Sequence, residues 1–319
     1  MRRGAPLAAA LLLSWALPGA AQDRGYTRLV VLSDLHLPGR LLPEKRKAVD
    51  TVNAWKDVDG VVALGDVVED HGTPSEYAFA KDFLSRLKAP LYPIAGNHEY
   101  AYDTGADGKT KRASPEVKQA KLKLFQETFS LPAPRYAKKF GPYLCLFVSN
   151  DALDSKFLSA LSSGTLAWLR AELRADPQAP AIVFFHAPLE GTIQSGNEIS
   201  DHPSFLAQPK DELRALIREN PQVFLWVSGH THLGAVNQRF SGPANRYEGQ
   251  VTDIHNSDMD GRSYLSDKDH GTTTHDTLWT NSLYLYPDKV VVKTFDHALG
   301  RWLDDLTREI RPNPAQKPG

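Results

Sequence analysis

At 319 residues, 41% of them hydrophobic and 24% charged, the chain is long enough to bury a full core without disulfide support. A formal net charge of −1 supplies no basic field for a nucleic-acid backbone, so a dedicated DNA- or RNA-binding role is not expected. The one cysteine, Cys145, has no internal partner and lies in an apolar run, which reads as a buried side chain rather than a nucleophile.

The N-terminus differs from everything after it. Arg2 and Arg3 precede a nearly unbroken apolar run over 5–17, and Pro18-Gly19-Ala20-Ala21 then offers small residues. That three-part layout predicts a signal peptide over 1–21 and an exported protein, periplasmic or extracellular; an uncleaved anchor and a disordered tail are the alternatives. No later run reaches about 18 apolar residues, so no membrane association is expected of the mature form.

Short apolar runs follow at 28–33, 61–64, 91–95, 143–148, 181–185 and 223–228, each of the buried-strand kind. Segments of helical period lie among them at 44–55, 73–87, 114–129, 165–174 and 211–219. The second of these opens with Thr73-Pro74-Ser75-Glu76, a capping box with proline at the first helical position, where its missing N–H costs nothing. Strands alternating with helices imply a largely parallel sheet, whose ligand sites lie beyond the carboxyl ends of the strands. Residues 101–114 read as an exposed loop and 256–277 as a second polar stretch holding His270 and His275. Alternating segments at 234–240, 282–286 and 289–295 suggest short strands, the last two joined by the turn Tyr286-Pro287-Asp288-Lys289. The main domain is expected over 22–306, with a disordered tail over 307–319.

Most of these runs end in residues that bind metals: Asp34-Leu35-His36, Gly65-Asp66, Gly96-Asn97-His98-Glu99, His186, and Gly229-His230-Thr231-His232. Asp34 and His36 stand two apart at a strand end, so both side chains are expected on one side, and His230 and His232 likewise. Two divalent ions about 3.5–4 Å apart need a carboxylate that bridges them, and Asp66 is the natural bridge. Water shared by two such ions gives hydroxide near neutral pH. A set of carboxylate, imidazole and one amide oxygen accepts manganese, iron, zinc or cobalt, as divalent or trivalent ions.

In this order the motifs resemble the calcineurin-like metallophosphoesterase superfamily, over Asp34 to His232. The resemblance implies a single-domain α/β fold, a four-layer α/β/β/α sandwich of two mixed sheets. It implies that Asp34, His36, Asp66 and His232 hold one metal ion, and Asp66, Asn97, His186 and His230 a second. His98 would contact the phosphoryl group and protonate the leaving oxygen. Glu69 departs from the pattern, standing where aspartate is usual, with a side chain able to orient a ligand histidine. The expected function is hydrolysis of small phosphate monoesters or diesters, and the alternative is a noncatalytic scaffold of the same fold. Lys109, Lys111 and Arg112 are candidates for contact with an anionic substrate, and Tyr100 and Tyr102 for stacking, against the alternative of ordinary surface residues.

Overall fold

In chain order the elements of the computed structural model are β1 (Thr27–Leu32), α1 (Leu42–Ala54), β2 (Gly60–Leu64), α2 (Pro74–Leu84), β3 (Leu91–Ile94), β4 (Tyr102–Thr104), β5 (Thr110–Arg112) and α3 (Pro115–Phe129). Then come β6 (Arg135–Phe140), β7 (Tyr143–Val148), α4 (Ser163–Ala175), β8 (Ala181–Phe185), α5 (Lys210–Glu219), β9 (Val223–Ser228), β10 (Arg246–Tyr247) and β11 (Val251–His255). The chain closes with β12 (Arg262–Ser263), β13 (Thr273–Thr274), β14 (Trp279–Leu285), β15 (Val290–Asp296) and β16 (Arg301–Ile310). Residues 24–193, 202–263 and 273–313 are described. The expected signal peptide, His270 and the end of the expected tail fall outside them.

Successive side chains of a strand point to opposite faces, and here both faces are covered. Leu29 and Val31 of β1, with Val62 and Leu64 of β2, face a core shared with Cys145, Phe147, Ile182, Phe184, Leu225 and Val227 of the other sheet. Val30, Leu32, Val61 and Ala63 point the other way, onto Ala48, Val49 and Val52 of α1, Tyr77 and Phe83 of α2, and Phe125 of α3. On the far side Leu146, Val183 and Phe185 pack against Leu166 and Leu169 of α4 and Leu213 and Leu216 of α5. This gives four layers, helix, sheet, sheet, helix, as expected. Rings of Phe147 and Phe184 stack 4.8 Å apart at the centre of the sandwich. Burial pushes the neighbouring Cys145 thiol up, away from the reactive thiolate.

One sheet has the order β16-β15-β14-β1-β2-β3 and the other β10-β11-β9-β8-β7-β6. β1, β2 and β3 are parallel, as are β7, β8, β9 and β11, so seven strand ends open toward one rim. The α2 capping box forms as expected: Thr73 accepts the Glu76 N–H and Glu76 accepts the Thr73 N–H at 2.8 Å.

Four features differ from expectation. Residues 234–240 turn rather than pair, because β11 already occupies the edge of β9; Leu233, Ala235 and Phe240 instead bury against Trp279. β6 and β11 escape a reading by apolar runs because one is charged on its exposed edge and the other carries the buried Asp253 and His255. β16 runs to Ile310, into the segment expected as tail from 307, with Asp304 and Asp305 exposed on this long edge strand. Within 101–114, β4 and β5 form a hairpin.

His297, just past β15 and 4% exposed, sets a pH limit on this fold. Its Nε2 lies 2.9 Å from Thr280 Oγ1 and its ring packs on Phe295, so burial holds the imidazole down to about 4 from 6.5. Because the folded value is depressed, the stabilisation is complete above the unfolded value and lost as pH falls from 6.5 through 4. Its size is about 3 kcal/mol. In urea unfolding wild type should therefore lose about 3 kcal/mol relative to His297→Gln as pH falls from 6.5 through 4; a difference independent of pH would contradict it.

Candidate metal centre

Both sheets contribute to one cluster at their common rim. β1 delivers Asp34 and His36, β2 Asp66 and β3 Asn97 and His98, while β8 delivers His186 and β9 His230 and His232. Strand alternation is not what aligns Asp34 with His36. Both have left the strand for left-handed backbone (φ 51° and 43°), as have Asp66 (48°), His230 (67°) and His232 (47°). Each such residue costs about 1–3 kcal/mol and persists only where its surroundings hold it. Buried backbone bonds do so here: Asp34 N–H to Gly65 O (3.2 Å), His36 N–H to Asp66 O (2.8 Å) and Gly229 N–H to His186 O (2.8 Å). Gly96 is required for the same closeness, since a Cβ there would lie 2.3 Å from Asp66 Oδ1.

The donors form two sets that share one member. Asp34, His36, Asp66 and His232 each place a ligand atom within 4.8 Å of the others, and so do Asp66, His186 and His230. Asn97 Oδ1 joins the second set, 3.2 Å from His186 Nε2. All seven residues are 3% exposed or less. Lone pairs that face one another in such burial, with Nε2 of His36 and His232 3.4 Å apart, fit a cation between them. Ring orientation agrees: His186 turns Nδ1 to Leu64 O (2.9 Å), and His230 turns Nε2 to Ser204 O (3.0 Å), each leaving its other nitrogen for the cluster.

Electrostatics of the bare cluster follow from burial against paired charge. For Asp34, burial works upward but the His232 hydrogen bond and the His186 charge hold it below the usual carboxylate range. For Asp66 burial is overcome by the charges of His186 and His98, well below that range. Burial opposes protonation of His186 too, yet Asp66 and Asp34 raise it to about 9. His232 is likewise raised against burial by Asp258 and Asp34. Burial holds His36 low, aided by the His98 charge, and pushes His230 to about 3 with help from His186. Without metal two imidazoles thus carry protons where cations fit, so acid competes with metal.

Two carboxylates support the cluster from behind. Glu99 is fully buried and accepts backbone N–H groups from Asp66 (2.9 Å), Val67 (2.7 Å), Val68 (3.1 Å) and Gly96 (2.6 Å), tying two ligand loops together. Burial and the Asp66 charge push it up to about 7, while these N–H groups pull it back. Asp258, which sequence reasoning missed, stands 2.9 Å from His232 Nδ1 and takes the N–H of Asp260 (2.5 Å) and Arg262 (3.1 Å) on its other oxygen. Its signal was the rule the other ligands obey, a polar residue just past a buried strand, but β11 itself had gone unread. Asp258→Asn is expected to weaken metal binding in the His36–His232 set by roughly 10–100-fold, read by competition with a chelator. Unchanged affinity would remove the role.

Glu69 does not take the part expected of it: Oε2 accepts the Gly39 N–H at 3.0 Å. Tyr100 is fully buried beneath Lys118 and cannot stack on a substrate, whereas the Tyr102 ring lies 5.2 Å from that of His98.

Comparison with known proteins agrees with this geometry. Residues 27–234 match the family described as calcineurin-like phosphoesterase. A 3′,5′-cyclic-nucleotide phosphodiesterase of Nostoc sp. is 26% identical over 183 residues, 57% of this chain and 59% of that protein. The glycerophosphodiester phosphodiesterase GpdQ of Enterobacter lignolyticus is 30% identical over 175 residues, 54% and 56% of the two chains. The chain thus spans less than two thirds of these curated relatives. Purple acid phosphatase PPD1 from yellow lupin (Lupinus luteus) seeds shares the fold, with a TM-score of 0.62 at 15% identity over 92% of this chain and 55% of that one. The family match runs through every donor from Asp34 to His232 and over more than half of the residues, and the chain belongs to the calcineurin-like phosphoesterase family.

Proposed function

We propose that this chain is an exported hydrolase of small phosphate esters, diesters foremost, working with two divalent ions. One observation supports the reading: Asp66 belongs to both donor sets, so its carboxylate would be shared if each set held a cation. Two such ions, drawn from manganese, iron, zinc and cobalt, would lower the pKa of water and neutralise charge on the phosphoryl oxygens. Asp34, His36 and His232 would hold one; Asn97, His186 and His230 the other. The preference for diesters rests on the two phosphodiesterases among the relatives.

His98 supplies what the buried donors cannot. Its side chain is 21% exposed, open to an entering ester, while its N–H donates to Asp66 Oδ1 at 2.9 Å and fixes the loop. The imidazole would donate a proton to the departing alkoxide, a step that contributes typically 10²–10⁴-fold. His98→Ala should lower kcat on bis-p-nitrophenyl phosphate by about 10²–10⁴-fold, with metal content by elemental analysis unchanged. Wild type that hydrolyses neither this diester nor p-nitrophenyl phosphate after metal reconstitution would defeat the enzyme reading and leave the scaffold. Export rests on the composition of residues 1–21. Intact protein found in the cytoplasm would end it.

A further inference from the structure

The hairpin of β4 and β5 begins four residues after His98 and pairs Tyr102 directly with Arg112. The Arg112 guanidinium sits over the Tyr102 ring at 5.4 Å, and that ring meets the His98 ring edge to face at 5.2 Å. Tyr102 is also tied to the cluster, since the Asn97 amide donates to its hydroxyl at 3.4 Å. The hairpin therefore holds a cation at two ring-contact lengths from His98, the proposed proton donor.

Other positive charges nearby are already engaged. Lys111 faces Asp103 at 3.8 Å, the Lys118 ammonium donates to Leu153 O (2.9 Å) and Ser155 O (3.0 Å), and that of Lys121 to His71 O. Lys109 lies at the turn beyond the Thr104–Thr110 pair, about 10 Å farther out along the strands than Arg112. Arg112 is exposed and, among the described residues, has no carboxylate partner. Its seat on Tyr102 orients the guanidinium and limits what it loses on binding.

We propose that Arg112, positioned by Tyr102, is a specificity determinant that recognises an anionic group, a carboxylate or a second phosphate, on the leaving alcohol. A neutral aromatic leaving group would have to displace Arg112 from the ring it covers; an anion gains a two-pronged donor without doing so. The proposal deepens the phosphoesterase reading and rests on it.

The test compares methyl 4-nitrophenyl phosphate with methyl 3-carboxy-4-nitrophenyl phosphate, using full-length protein loaded with metal. The carboxylate also alters leaving-group reactivity, so the decisive quantity is the ratio of the two kcat/KM values in wild type divided by that ratio in Arg112→Gln. It should be about ten, carried by KM, reduced by salt and partly restored in Arg112→Lys. A value near one, or equal loss on both esters, overturns the proposal. If wild type turns over neither ester the preference for diesters fails instead, and calorimetry with the carboxylated ester then decides: tighter binding to wild type than to Arg112→Gln supports the subsite, and equal binding removes it.

Discussion

Asp66→Asn is expected to cost two or more orders of magnitude in metal affinity and about 10³-fold or more in phosphodiester turnover while the protein stays folded. The structural side is mild because asparagine keeps an Oδ1 to accept the His98 N–H, now 2.9 Å long, and the volume barely changes. What disappears is the only charge common to both donor sets. Two cations about 3.5–4 Å apart repel strongly, and a shared carboxylate offsets that repulsion for both. Several kcal/mol of electrostatic support lost at the reacting group translates into about three decades of rate. Elemental analysis, chelator competition and bis-p-nitrophenyl phosphate turnover check this, with thermal unfolding as the control for folding. Two equivalents of metal bound at wild-type affinity would show that Asp66 is not shared.

The same substitution separates the two imidazoles that carry protons in the bare cluster. His186 owes its rise to about 9 chiefly to Asp66, whereas His232 owes its own to Asp258 and Asp34. In the metal-free variant the His186 resonance should therefore titrate lower while that of His232 scarcely moves.

The ligand residues were legible because chemistry fixes their type and strand ends fix their place. Runs such as 61–64 and 181–185 are apolar throughout since both faces are buried, and whatever polar residue follows must stand at the rim. How those residues meet was not legible. Alternation along a strand predicts that Asp34 aligns with His36, but left-handed backbone aligns them, held by bonds from a neighbouring strand that no local pattern announces. Support from Asp258 was hidden for a related reason: β11 carries Asp253 and His255 inside, which breaks the apolar run that would have marked it. The four-layer arrangement came from family resemblance, since period alone does not say that two sheets meet face to face. Lys45 shows the limit well. It lies in the helical segment 44–55, whose period does not announce that it is fully buried, bonded to Asp260 Oδ1 at 2.6 Å behind His36.

Glu99→Ala should be the most destabilising single change near the centre. Four N–H groups converge on this carboxylate, Val67 and Val68 on Oε1, Asp66 and Gly96 on Oε2. They belong to two loops whose backbone departs from regular strand to present Asp66 and Asn97, so no backbone acceptor replaces the one removed. Each buried N–H left unpaired costs about 1–3 kcal/mol, and partial relaxation of the loops keeps the total below a simple sum. A loss of at least about 4 kcal/mol is expected, a large part of the 5–15 kcal/mol typical of a folded domain. Glu99→Gln retains one carbonyl oxygen and turns an NH2 toward the other pair of donors, so it should fall between alanine and wild type. Urea unfolding of metal-free protein gives the order, and the variants should bind metal weakly because the loop bearing Asp66 is no longer held against that bearing Asn97. If Glu99→Ala costs less than about 1 kcal/mol, the clamp is not what joins these loops.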